Sequence, residues 1–69
     1  MRYQFNDTVF YRRNVVPGRP DPPIFIVQDF RVIAGRVYYG LWDQENGSAH
    51  LACEDELMAC NMAWDRKTS

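Results

Sequence analysis

Several residues of this 69-residue chain carry side chains capable of chemistry, and their spacing decides what each could do. His50 and Cys53 lie three positions apart. On a strand that spacing puts them on opposite faces; only a helix would bring them together as base and nucleophile. A catalytic histidine also needs an orienting acid in contact with it. Asp43 and Glu45, across a hairpin, are the available carboxylates, and a solvent-facing His50 is the expected outcome. Cys53, Cys60 and one histidine are too few ligands for a structural zinc site, which takes about four. Glu54, Asp55 and Glu56 are three successive carboxylates without the spacing or companions of a calcium loop or a glycosidase pair. They read as a solvated helix start, or as an acidic spot for a basic partner. The chain has no phosphate-binding glycine loop, no GxGxxG and no nucleophile elbow. An enzyme is not expected, nor is a cofactor or a metal.

Two constellations point instead to binding. In the first, Arg12, Arg13 and Arg19 flank a stiff loop and could grip phosphates while Tyr11 or Phe10 stacks on a base. This is the chemistry of single-stranded nucleic-acid binding. The second is "VYYGLW", Val37–Trp42. Alternation on a strand divides it into one set of Val37, Tyr39 and Leu41 and another of Tyr38, Gly40 and Trp42. Either set, turned outward, exposes at least two bulky apolar side chains. A contiguous apolar surface of this kind marks a contact with a partner or a second copy, and Tyr and Trp are frequent interface anchors. A looser likeness to chromodomain and Tudor barrels would make Tyr38 and Trp42 two walls of an aromatic cage for a methylated cation.

Charge weighs between these two. The net charge is −1, unevenly divided. Residues 1–36 hold six Arg against three Asp, while residues 37–69 hold Arg66 and Lys67 against six acidic residues. A dedicated nucleic-acid binder carries a net basic domain. Here the halves complement each other, so protein contact ranks first and nucleic acid second.

The elements that must position these residues are short. Tyr, Phe, Val and Thr favour a strand over Asp7–Arg13, with Val9 and Tyr11 on one face. All four prolines fall in Asn14–Pro23, which excludes regular ladder pairing there and makes a stiff loop. Ile24–Ile33 is the strongest strand, but its apolar parity slips at Gln28-Asp29, which predicts a bulge or sharp bend. A short turn at Ala34–Arg36, a strand through Asp43, a hairpin at Asn46-Gly47 and a strand to Cys53 follow. From about Glu54, Leu, Met, Ala and Glu at helical spacing predict a short helix or helical turn, with Leu57, Met58, Asn61, Met62 and Trp64 recurring along it. "DRKTS" reads as a frayed tail, giving one domain over residues 1–65 and a tail over 66–69.

Strand, long loop, bent strand, tight turn, strand, hairpin, strand and helical turn make the layout of a mainly β, small SH3-like barrel of four to five antiparallel strands. A chain of this size buries only about 60% of its unfolded surface, so bulky aromatics must carry the core. The composition, 46% hydrophobic and 14% aromatic, is that of a folded domain. No apolar run exceeds four residues, so no membrane-spanning or secretory segment is expected; with "MRYQFND" at its start, the chain reads as cytoplasmic with reduced cysteines.

In "FNDTVFYRR", "PPIFIV", "VYYGLW" and "EDEL" the chain resembles the YodC-type small SH3-like proteins of bacteria and phages, over about residues 5–60. The resemblance implies the same barrel and brings no established activity. In its register Tyr38, Gly40 and Trp42 face inward and Val37, Tyr39 and Leu41 outward. Asn6 replaces the usual glycine before Asp7, Gly40 stands where a small apolar residue is expected, and Leu41 stands where that pattern is polar. An outward apolar Leu41 implies a covered outer face. The expected function is therefore an accessory binding module of bacterial or phage type. It would use the 37–42 strand for protein contact or self-association as a homodimer, supplementing a marginal core.

Overall fold

The computed structural model describes residues 2–60. Its five strands are β1 (Thr8–Tyr11), β2 (Phe25–Ile33), β3 (Arg36–Asp43), β4 (Ser48–Cys53) and β5 (Leu57–Ala59). All pairings are antiparallel, in one open sheet of order β4-β3-β2-β1-β5. The only helical elements described are 3-10 turns at Arg12–Asn14 and Glu54–Glu56. This is the mainly β arrangement of short antiparallel strands expected from the sequence, with five strands in one open sheet. The sheet curls: Ala52 of β4 and Leu57 of β5, from its two end strands, lie in one apolar cluster.

Local chemistry explains the elements. Ala34 and Gly35 both have positive φ (52° and 78°) and close the β2–β3 hairpin in two residues. Such a turn matches the twist of the flanking strands. The β3–β4 turn is built by Asp43. Its Oδ1 accepts from Glu45 N and Asn46 N, its Oδ2 accepts from Asn46 Nδ2, and Gly47 N donates to the Asp43 carbonyl. These donors hold the Asp43 carboxyl below its ordinary range, the Asn46 side-chain amide contributing most. β1 is shorter than predicted, since the chain turns into a 3-10 segment at Arg12 before the proline loop.

The parity slip in β2 is real. β2 pairs with β3 in one register through Val27–Leu41 and in a shifted one from Asp29–Gly40, with Gln28 as the extra residue. The bulge keeps Phe25, Val27, Phe30 and Val32 on one side of the sheet even though their spacing changes from two to three and back.

The core comprises Tyr3, Val9, Tyr11, Phe25, Val27, Tyr39, Leu41, Ala52 and Leu57. It corrects the register taken from the family-like pattern. Tyr39 and Leu41 are 0% and 1% exposed, Val37 packs beside them, and Tyr38 and Trp42 are half-buried on the other face. The physical reason lies in the bulge, which sets Leu41 opposite Val27 and Tyr39 opposite Phe30, on the side that β1 and β5 close. The outer row is also partly covered. Phe10 is buried outside the core cluster, and Ile26, Trp42 and Met58 are half-buried.

In the C-terminal third the helical turn forms where it is expected, as a 3-10 turn at Glu54–Glu56, but the helical spacing from Leu57 onward is not realised: Leu57–Ala59 pairs with β1 in the register Tyr11–Leu57, Phe10–Met58, Val9–Ala59. Helix propensity gives way because a strand sends Leu57 into the core and Met58 outward. The parts of that prediction falling on Asn61, Met62 and Trp64, like the tail, lie outside the described residues. No helix among the described residues is long and apolar enough to cross a membrane.

Candidate functional site

The N-terminal segment closes one end of the curled sheet. Tyr3 is buried, its ring meeting Tyr39 edge-on at 5.2 Å, and its hydroxyl donates to the Leu57 carbonyl at 3.1 Å. The backbone N–H groups of Arg2 and Tyr3 both donate to the Tyr39 hydroxyl, which in turn donates to Glu54 Oε2 at 2.6 Å. Burial, and then the bond to Glu54, push the Tyr39 phenol above its usual value; that same bond draws the Glu54 carboxyl down. Tyr39 is thereby a structural clamp between the N-terminus and the turn before β5.

Beside this clamp an apolar cavity of about 200 Å³ opens to solvent, lined by Tyr3, Gln4, Phe5, Val27, Phe30 and Tyr39. Its rim is unusually apolar for an exposed surface: Phe5 is 62% and Phe30 43% exposed. The rim continues along the hairpin, where Val32 shares the Phe30 face and is 63% exposed. The sequence reading missed Phe5, Phe30 and Val32 as surface residues. A signal was present in the bulge, since shifting the parity of β2 carries its apolar set beyond the end of β1.

The strand 37–42 is divided. Tyr39 and Leu41 are core residues, Tyr39 also forming part of the cavity lining; Val37 is half-buried beside them. Tyr38 and Trp42 lie on the outer face, half-buried, in cross-strand positions opposite Arg31 and Ile26. They stand four residues apart on that face, Gly40 between them facing Asp29.

The arginine cluster is largely engaged within the molecule. Arg12 Nε donates to the Leu57 carbonyl. Arg13 pairs with Glu56 at 3.4 Å and lies over the Tyr11 ring at 4.5 Å. Tyr11 itself is buried, with Phe25 edge-on at 5.2 Å, so no base can stack on it without displacing core contacts. Arg19 is exposed in the proline loop, its backbone N–H donating to the Val16 carbonyl.

His50 is exposed, yet its ring rests edge-on against Phe25 at 5.3 Å and its Nε2 is 3.0 Å from Ser48 Oγ. Cys53 lies on the opposite strand face, opposite Tyr38, so β4 keeps the histidine and thiol apart. Both cysteines are free thiols, Cys53 half-buried and Cys60 buried. Among the described residues no three His, Cys, Asp or Glu side chains cluster as metal ligands. The acidic run forms the 3-10 turn, in which Glu54 accepts from Tyr39 and Glu56 Oε1 accepts from Cys53 N. Compared with protein-family models, curated proteins and solved structures, the chain shows no significant match to any.

Proposed function

We propose that this protein is a small accessory binding module whose contact surface is the apolar cavity and the adjoining core-side face of the β2–β3 hairpin. One observation carries this reading. Exposed Phe5 and Phe30 rim a cavity floored by Tyr3, Val27 and Tyr39, and exposed Val32 follows Phe30 on the same face of the hairpin. Soluble domains keep surfaces of this kind for contacts, and a cavity beside exposed aromatics supplies the pocket-and-anchor arrangement of interface hot spots. The surface differs from the one expected in β3: the strand contributes its buried Tyr39 as floor, while β2 and the N-terminal turn supply the contacts.

Nucleic-acid binding has less support, because Arg12 is bonded to β5, Arg13 is paired with Glu56 at the surface and Tyr11 is buried in the core.

A photo-reactive phenylalanine analogue at position 30, with a second variant carrying it at Arg19, tests the reading in the producing cell. A protein adduct from position 30 and none from position 19 is the expected result. Nucleic acid recovered from position 19, or no adduct from position 30, would overturn it.

A further inference from the structure

The β2–β3 hairpin leaves an open strand edge, and its geometry selects an occupant. β1 meets β2 at Thr8–Ile26 and Val9–Phe25, extended only by the bonds of Val27 with Asn6 and Asp7. Beyond Val27, among the described residues, β2 is paired on the β3 side alone. Asp29–Ile33 therefore forms an edge of five residues. The two-residue turn makes Ile33–Arg36 a hydrogen-bonded pair, so the alternate residues Val32 and Phe30 aim their N–H and C=O groups away from β3. Phe30, Val32 and Ile33 are all exposed on this edge. An exposed apolar edge of this kind is a template for adding a strand.

We infer that the edge Asp29–Ile33 pairs antiparallel with the same edge of a second copy of this chain, forming a two-fold dimer. This rests on the reading of the hairpin as a contact surface and names its occupant.

Length fixes the register. Asn6 sits at the end of β1 beside Val27, so only residues 29–33 are free to overlap. An antiparallel pair over that range centres on Arg31. It places Phe30 opposite Val32 of the second copy, and both residues have outward backbone groups to exchange. On the core-side face the two Phe30–Val32 pairs join into one apolar row that extends the cavity rim across the two-fold.

Charge selects the second copy over an unrelated strand. On the other face, each edge carries one carboxylate and one guanidinium, Asp29 and Arg31. The single ion pair among the described residues is Arg13–Glu56, so neither of these charges has an ion-pair partner within the described chain. Antiparallel self-pairing sets each Asp29 diagonal to Arg31 of the other copy, within reach of the long arginine side chain. Two such contacts flank the Arg31–Arg31 approach at the axis and outnumber it. A C2 contact is self-complementary by construction, as this edge requires.

The contact is small and therefore weak. Sedimentation equilibrium on the purified full chain under reducing conditions, from about 10 μM to 1 mM, reads it directly. The wild type is expected to show a monomer–dimer equilibrium. Val32→Lys, at an exposed position, raises the dissociation constant at least about tenfold. Asp29→Arg and Arg31→Asp each weaken association, because each makes the edge carry a single sign of charge. Mixed in equal amounts, those two variants form a heterodimer tighter than the wild-type homodimer. Thermal melts of each variant confirm that it is folded.

A wild type that stays monomeric throughout, a dimer that survives Val32→Lys, or a charge-swapped mixture that fails to associate would overturn the inference. A monomer would not overturn the broader reading, which is decided by whether position 30 crosslinks to a different protein.

Discussion

The phenolic hydroxyl of Tyr39, in the middle of β3, donates to Glu54 Oε2 at 2.6 Å while accepting the backbone N–H groups of Arg2 and Tyr3. One buried oxygen thus ties the N-terminal segment, the central strand and the turn that launches β5. Replacing it with hydrogen leaves the ring's packing intact but removes the acceptor from Tyr3 N, which is buried. Tyr39→Phe is expected to cost about 1–3 kcal/mol in urea unfolding, the range for a buried donor left without a partner. Glu54→Gln keeps an acceptor beside the hydroxyl and should cost clearly less.

The same contacts set a pH dependence. Glu54 is held below its ordinary carboxylate value, first by the Tyr39 hydroxyl and then by Arg2 N, and Asp43 is lowered by the Asn46 amide. A group whose folded pKa is depressed contributes stability above its unfolded pKa and loses it as pH falls through the folded value. For these two residues the loss falls below about pH 4.5 and 3.8, the ordinary values. Tyr39 runs the other way: its raised pKa gives stability that is present below pH 10.0 and lost as pH rises past it. Unfolding free energy measured from pH 2 to 7 should therefore rise with pH through the acid range. Glu54→Gln should flatten that limb; an unchanged slope would show that the Tyr39–Glu54 bond does not carry it.

How far these features could be read from the sequence depends on where their signal lay. The bulge at Gln28 was legible because apolar parity is local: Val27 and Phe30 cannot share a face without an extra residue between them. The Asn46-Gly47 hairpin and the proline loop were legible for the same reason. The facing of Tyr38 and Tyr39 was not, because either alternate set of β3 is apolar enough for a core. That choice is made by the cross-strand partner Val27 and by the closure of β1 and β5, which are long-range facts. Leu57–Ala59 misled by composition, since Leu, Met and Ala favour a helix until β1 offers a ladder. The exposure of Phe30 and Val32 was not legible because a sequence does not say where β1 stops, and the mismatch in length between β1 and β2 leaves them uncovered.

Gly40 owes its identity to Asp29. The two are cross-strand partners just past the bulge, and a methyl group on Gly40 would collide with Asp29 Oδ1. The colliding atom is the end of a side chain, so the carboxylate can swing aside. Gly40→Ala is expected to destabilise by about 1 kcal/mol, as a modest overpacking does. In the Asp29→Ala background the same substitution should be neutral or stabilising, because alanine suits a strand better than glycine. A double-mutant cycle by chemical denaturation measures the coupling. Additive effects would mean that the collision is not what keeps glycine at this position.

The two thiols should differ in reactivity by their setting. Cys53 is half-buried at the start of the 3-10 turn, where its sulfur receives the Glu56 N–H and its own N–H donates to Glu56 Oε1. Cys60 is buried, with its N–H bonded to the Thr8 carbonyl at the end of β5. Alkylation requires the thiolate to meet reagent, so Cys53 should label in the native protein while Cys60 labels only through opening of the β1–β5 pair. Mass spectrometry after a timed iodoacetamide pulse, with Cys53→Ser isolating Cys60, gives the two rates. The Cys60 rate should rise steeply with sub-denaturing urea and the Cys53 rate should hardly change. Serine at position 53 also preserves the reciprocal cap, since its hydroxyl accepts the Glu56 N–H at least as well as sulfur, so that variant should keep wild-type stability. Equal native rates for both thiols would show that β5 is not held against β1 as Leu57, Met58 and Ala59 imply.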